Sequence, residues 1–464
     1  MVKELFATNT KTIRKFGAAL VILAVAAIGT YLLVPGHAAS PSAYIDASGG
    51  TPASGARAIQ GCGGANSGNC VVFGSPGPMD GNVALSLLQS GTPFAANSFW
   101  NTPLPANTPV NSNTTAYVNA ITYQLCHPNN APSTDPCDTT TINGVLNSAR
   151  WSVPFYIVPA NQPNVPIVLN PTGSSQAATD LQTILNNPGV PIPADAHAAG
   201  GTDAHIAVYQ PSSDTLWEFW RLSTPAQNAP GAGALPWNSL TPAPSYGDSQ
   251  WHAVWGGVMS NVSTSDGIFP YPYAGWTTGL SLLGTVTRIE ELQAGHIDHV
   301  MGIGLGQLLK QNVIPANNCP TGTPVDTPGA TNGISWPADR SDGTNTDPCA
   351  IPEGLRFRLP ANLDLNQYSL TPVAKTIAVA AQKYGFVVSE TSDTTVGLIL
   401  GDPTTYTTAG LPNPYTTGPG VGGVGSQGLF GGVGGANQNS VLMANFPWDQ
   451  LQALPYNYGE SGGP

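Results

Sequence analysis

From Ser152 to Val388 the apolar residues arrive in short runs: "SVPFYIVP", "VPIVL", "HIAVY", "LWEFWRL", "AVWGGVM", "HVMGIGL", "LRFRL" and "GFVV". They are separated by stretches rich in Pro, Gly, Asn and Asp. Runs this short cannot supply the face of a long helix but suit strands ended by turns. The 54 Gly and 44 Pro of the 464-residue chain reinforce that bias. Three segments read as helices: "SSQAATDLQTILNN" from Ser174, "LSLLGTVTRIEELQAG" from Leu280 and "TPVAKTIAVAAQKYG" from Thr371. The last two end at Gly295 and Gly385, where a left-handed residue stops a helix. Helices do not alternate with strands, which disfavours a doubly wound parallel sheet. The expected fold is mainly β: a β-sandwich of jelly-roll or concanavalin-like type with a few decorating helices.

Lys3, Lys11, Arg14 and Lys15 precede the uncharged segment Phe16 to Val34, which predicts export. This helix serves either as a cleaved signal peptide, with Gly36 and Ala38 near the cut, or as an N-terminal transmembrane anchor. The expected location is extracellular or at the cell surface. Of 14 Lys+Arg and 26 Asp+Glu, residues 1–40 hold four and one, leaving 10 against 25 and a net charge near −15. Such a surface repels phosphate backbones and excludes nucleic acid as a partner. The six cysteines form three sequence-local pairs, Cys62 with Cys70, Cys126 with Cys137 and Cys319 with Cys349. In an exported chain these read as disulfide loop clips, and the spacing of a zinc site is absent.

The expected organisation is a signal or anchor over residues 1–40, a Gly/Ser/Pro-rich spacer over 41–91 and a β-rich body over 92–403. A glycine-rich tail too flexible to order itself follows over 404–439, then a segment over 440–464 that docks back on the body through Leu, Phe and Trp.

Alternation along the strands sorts candidate site residues. In "GTDAHIAVYQP", Asp203, His205 and Tyr209 share one face. If "HIDHVMGIGL" is one strand, His299 joins the core face with Met301 and Ile303. His296 and Asp298 then lie opposite, beside Gly302 and Gly304, whose missing side chains leave a groove floor. Two histidines on opposite faces cannot chelate one ion, so a His296/His299 metal site is disfavoured. The two acid-and-histidine pairs predict a cleft lined by Asp203, His205, His296 and Asp298. Glu290 and Glu291, on the helix before His296, are either an acid/base resource or a solvated face. The aromatic residues Trp217, Trp220, Trp251, Trp255, Tyr273 and Trp276 are candidates for stacking on sugar rings, with core packing the competing role. In the loop "WPADRSDGTNTDPC", Asp339, Asp342, Asn345 and Asp347 crowd oxygen ligands that suit Ca²⁺, although Asx-turns explain the same residues.

The stretches "SFWNTPLP", "GTDAHIAVYQPSSDTLWEFW", "TRIEELQAGHIDHVMGIGL", "WPADRSDG…IPEGLRFRLP" and "AKTIAVAAQKYGF" resemble an uncharacterised family of secreted bacterial proteins common among actinomycetes. The resemblance covers residues 92–403. It implies one continuous body and carries no assigned activity.

The functional expectation is a surface-attached carbohydrate-active enzyme, either a polysaccharide lyase or a glycoside hydrolase. A lyase would use Tyr209 or His205 as proton shuttle and Arg221 to neutralise a uronate. A hydrolase would draw two carboxylates from Asp203, Glu218, Glu290, Glu291 and Asp298. The alternative is a non-catalytic protein that binds a polysaccharide or cell-wall glycan.

Overall fold

The computed structural model describes strands at 43–45, 56–60 and 69–73, and residues 91–126, 144–170, 175–235, 245–316, 319, 333–392, 396–434 and 438–460. Two compact units span residues 1–75 and 76–464. In the first, β1 (Ala43–Ile45), β2 (Ala56–Gln60) and β3 (Asn69–Phe73) form an antiparallel sheet in the order β1-β3-β2. The spacer expected over 41–91 therefore contains paired strands. Their short β-branched runs were hidden in a Gly/Ser background. No described helix is long and apolar enough to cross a membrane, and the segment Phe16 to Val34 lies outside the described residues.

The second unit is built on two mixed sheets. Strands β4 (Val145–Asn147), β5 (Phe155–Ile157), β6 (Ile167–Leu169), β7 (Ile206–Gln210), β8 (Thr215–Trp220), β9 (Trp251–Ala253) and β10 (Trp255–Ser260) come first in the chain. They are followed by β11 (Met301–Leu305), β12 (Arg356–Arg358), β13 (Phe386–Thr391), β14 (Gly397–Ile399) and β15 (Gln452–Ala453). A four-stranded sheet runs β10-β8-β7-β5 and a six-stranded one β15-β12-β13-β11-β14-β4. The mainly-β expectation holds, with few helices. A jelly roll is antiparallel throughout, whereas β5/β7, β6/β9, β11/β13 and β14/β4 pair in parallel.

Both faces of the smaller sheet are covered. Ala207, Tyr209 and Leu216 enter one core with Trp100, Phe269 and Leu282, while Ile206, Val208, Trp217 and Phe219 enter another with Leu181 and Leu185. The alternation was thus in the correct phase, but neither face of β7 is solvated. Among the helices, α1 (Thr114–Cys126) was not expected, and α2 (Gln176–Asn186) starts at Ser175, whose side chain accepts from Ala178 N–H. The helix expected from Leu280 is two short ones, α3 (Leu282–Thr285) and α4 (Ile289–Ala294). Between them Thr287 N–H donates to Ile399 O at 2.9 Å, so this β-branched stretch joins the sheet edge instead of continuing the helix. Gly295, at φ 79°, caps α4 as expected. Helix α5 (Pro372–Lys383) starts at Thr371 and turns into β13 through Gly385 at φ 80°.

The glycine-rich stretch is placed, contrary to expectation. After α6 (Thr404–Thr407), Tyr415, Leu429 and Phe430 are buried in the large core. Gly428 N–H donates to Gly418 O at 2.7 Å. Three anchors suffice because the glycines between them turn tightly against backbone. In the final segment α7 (Gln438–Leu442) and the buried Phe446, Trp448 and Tyr456 lead to β15, which pairs with β12. Cys319 and Cys349 are bonded and Cys126 is also in a disulfide. Cys62 and Cys137 lie outside the described residues, and of Cys70 only the backbone is described.

One buried carboxylate joins the two sheets. Glu218 of β8 is fully buried and accepts from Ser281 Oγ at 2.6 Å, Leu282 N–H at 2.8 Å and Leu283 N–H at 2.9 Å. These groups open α3, and Thr285 of that helix lies over Gly302 of β11, where an added Cβ would meet Thr285 Cβ at 2.5 Å. The supposed groove floor at Gly302 is therefore filled. Burial pushes the Glu218 carboxyl up to about 7 against the pull of its donors. The folded state holds its proton more tightly than the unfolded one, so this contribution is complete below about pH 4.5 and lost as pH rises through about 7. The wild-type unfolding free energy, measured relative to Glu218→Gln, should fall by roughly 3 kcal/mol across that window. A pH-independent difference in urea titrations would contradict it.

Candidate functional site

The segment entering β7 is held in an unusual backbone. Trp151, Ala204 and Arg221 have φ of 53°, 40° and 55°, the left-handed region that costs residues other than Gly, Asn and Asp about 1–2 kcal/mol each. All three meet around Thr202 and Asp203. Trp151 N–H donates to Gly200 O at 2.9 Å, Arg221 N–H to Asp203 O at 2.7 Å and Leu222 N–H to Ala204 O at 3.1 Å. Trp220 Nε1 donates to Asp203 Oδ1 at 3.3 Å.

Beneath Asp203 lies His205, buried, with its ring edge-on to Trp276 at 4.3 Å and no partner for Nδ1. Burial lowers its pKa to about 4, so the imidazole is neutral at physiological pH. The backbone beside Trp276 holds Arg340, whose Nη2 donates to Tyr273 O at 3.3 Å and Trp276 O at 3.5 Å and whose Nη1 donates to Asp339 at 3.0 Å. Glu353, fully buried, accepts Asp342 N–H through Oε2 at 3.2 Å, while Oε1 has no hydrogen-bond partner. Asp342 in turn accepts from Thr391 Oγ1 at 2.5 Å.

Glu390 completes the group. A register shift in the β11/β13 pairing, with Ile303 opposite Val388 but Gly304 opposite Glu390, re-aims this end of β13. Burial first, and then the charges of Asp342, Glu353 and Asp203, raise Glu390 well above the usual carboxylate range. Burial and Asp342 do the same for Glu353. Both are pushed toward the neutral acid form, in the company of Asp203 and Asp342. Neutral acids beside carboxylates are the pairing that acid/base chemistry requires. Three of the stretches that carry the family resemblance, "GTDAHIAVYQP", "WPADRSDG" and "IPEGLRFRLP", converge on this cluster.

Other candidates fall elsewhere. Tyr209 is buried and its hydroxyl donates to Asp214 Oδ1 at 2.9 Å. Glu291 is fully buried rather than solvated, 2.7 Å from Arg288 Nη2 and 3.1 Å from His299 Nε2. Burial alone would raise it, but Arg288 and His299 outweigh burial and hold it below the usual range. Glu290 accepts from Tyr406 at 2.5 Å and shares a water-sized cavity of about 30 Å³ with Asp402. Trp217, Trp251 and Trp276 are core residues, while Trp220, Trp255 and Tyr273 are half-buried. Trp255 stacks on Tyr273 at 6.3 Å. The oxygens proposed for Ca²⁺ are engaged separately: Asp339 with Arg340, Asp342 with Thr391, Asn345 with Asp347 N–H, and Asp347 with Cys349 N–H. Among the described residues no His, Cys, Asp and Glu converge to hold a metal ion.

His296 and Asp298 are not on a strand, since the Gly295 cap keeps the chain turning until Met301. His296 Nδ1 lies 2.8 Å from Asp298 Oδ2, and Lys383 Nζ 3.1 Å from Asp298 Oδ1. Asp298 and Tyr384 line an open hollow of about 350 Å³ with Phe94 and Asn101. No contact among the described residues joins this pair to His205, whose ring packs on Trp276. His299 is in the core as expected, with Nδ1–H donating to Val300 O at 2.7 Å. No protein-family model, curated protein or solved structure matches this chain. Its chemistry therefore stands on geometry.

His299→Ala removes a fully buried partner of Glu291 and should cost about 3 kcal/mol or more. His296→Ala, whose side chain is half exposed, should stay within about 0.5 kcal/mol. Chemical denaturation giving the two variants equal midpoints would contradict this placement.

Proposed function

We propose that the chain is an exported, surface-attached carbohydrate-active enzyme of the glycoside hydrolase type, with its centre at Asp203, Asp342, Glu353 and Glu390. The observation that carries the reading is the grouping of two acids that burial drives toward the neutral form, Glu353 and Glu390, with Asp203 and Asp342. Trp220, which donates to Asp203, and Tyr273 and the exposed Tyr271, which adjoin Arg340, supply the aromatic rim. Glu390, only partly covered, is the general acid that protonates the leaving glycosidic oxygen. Asp203 is the opposing carboxylate that serves as base or nucleophile. Glu353, wholly buried, positions Asp342 by accepting its N–H, and the charge of Asp342 adds to burial in keeping Glu390 protonated. His205 is a neutral imidazole behind Asp203.

The lyase reading is weaker. Its proton shuttle Tyr209 is committed to Asp214 and shut in the core. The binding-protein reading draws support from the aromatic rim, and the same experiment separates it. Glu390→Gln should lower the release of reducing ends from polysaccharide by about 10²- to 10⁴-fold while its thermal melt stays close to wild type. Unchanged cleavage would overturn the assignment. Unsaturated products in place of simple reducing ends would establish elimination, and tight glycan binding by a wild type that cleaves nothing would establish a binding protein.

A further inference from the structure

Beyond residue 40 the chain keeps few cations, and Arg288, Arg356 and Arg358 are buried. Two of the others flank the strained segment at Thr202. Arg150 is exposed and bridges to Gly200, and its guanidinium lies over the Trp151 ring at 4.6 Å. Trp151 is itself 40% exposed, with Nε1 3.4 Å from Thr202 Oγ1. On the other side Arg221 lies over the Trp220 ring at 4.1 Å, its Nε donating to Thr202 O at 3.1 Å. Among the described residues the terminal guanidinium nitrogens of Arg150 and Arg221 meet no protein acceptor. Arg340, by contrast, has both terminal nitrogens engaged by Asp339 and the backbone.

We propose that these two arginine–tryptophan pairs form a subsite for a carboxylate-bearing sugar, so that the substrate is a uronate-containing polysaccharide; the inference rests on the carbohydrate reading above. A guanidinium presents parallel N–H groups that match a carboxylate bidentately, and stacking on an indole fixes its plane while leaving that edge free. The left-handed backbone at Trp151 and Arg221 points both pairs at one short segment, a strained placement that core packing alone does not require. A glycerol-phosphate polymer would offer its anions to the same forks but has no apolar ring faces to lay on the indoles. A uronate chain, with one carboxylate per sugar and apolar ring faces between, meets both the forks and the indoles.

The test is calorimetric titration of the full chain with three probes: a galacturonate oligosaccharide, the same oligosaccharide after carboxyl reduction, and a glycerol-phosphate polymer. The galacturonate ligand should bind, and Arg150→Gln and Arg221→Asn should each weaken it about tenfold or more. Asn is chosen at 221 because it tolerates the left-handed backbone. Arg150→Lys, which keeps the charge but loses the fork, should restore binding only in part. The reduced oligosaccharide should bind no better than the double variant does the acidic one. Equal binding of the reduced ligand, full binding by the double variant, or tighter binding of the phosphate polymer would each overturn the inference. A wild type that binds or cleaves only neutral glycans would overturn the substrate class and leave the carbohydrate reading standing. No binding of any glycan would remove both.

Discussion

The Glu218 carboxylate is the fixed point on which the geometry of the site depends. Asp203, His205 and Arg221 belong to the end of the smaller sheet, whereas Glu390 belongs to the larger one. The two sets hold their relation because Glu218 of the first sheet grips the start of α3, which lies across β11 of the second. A charged or half-charged group in a dry interior is expensive unless each lone pair finds a donor. Here a hydroxyl and two backbone N–H groups supply them, so the tether is directional in a way that apolar packing is not. Its raised pKa shows that burial still exceeds that compensation.

The same opposition between burial and partners separates the other acids. Glu291 lies between Arg288 and His299 and stays ionised, a structural ion cluster beneath α4. Glu353 and Glu390 have no cation in hydrogen-bonding contact, so burial first and then the charge of Asp342 drive each toward its neutral form. Residues of one chemical type thus divide into anchors and proton carriers according to what stands within a few ångströms. Of Glu353 and Glu390, the first is wholly buried and the second only partly covered.

Much of the framework was legible in the sequence, and the reasons are local. The caps at Thr371, Gly295 and Gly385 and the phase of β7 follow from short-range sterics and alternation. The docking of Phe446 and Trp448 follows from their apolar area alone. What escaped depends on contacts distant in sequence. Glu353 sits in a loop and Glu390 beside a register shift, and nothing in "IPEG" or "VVSET" shows that they meet. Alternation from His296 failed because it assumed a strand five residues before one begins. The glycine-rich stretch was misjudged because composition counts its glycines but gives no weight to Tyr415, Leu429 and Phe430 as anchors. Among the tryptophans, Trp217 is core while Trp220, at the end of the same strand, is only partly covered by Arg221 and Asp203.

The proposed ligand site is the rim around Asp203 and not the larger hollow beside Asp298 and Tyr384. Indole N–H resonances in a ¹H–¹⁵N spectrum report on both regions without a change of sequence. On titration with an oligosaccharide, the signals of Trp151 and Trp220 should move in step with saturation while those of the core residues Trp100 and Trp448 stay still. Stationary Trp151 and Trp220 signals, with ligand-induced shifts confined to residues lining the hollow at Asp298, would contradict the central claim.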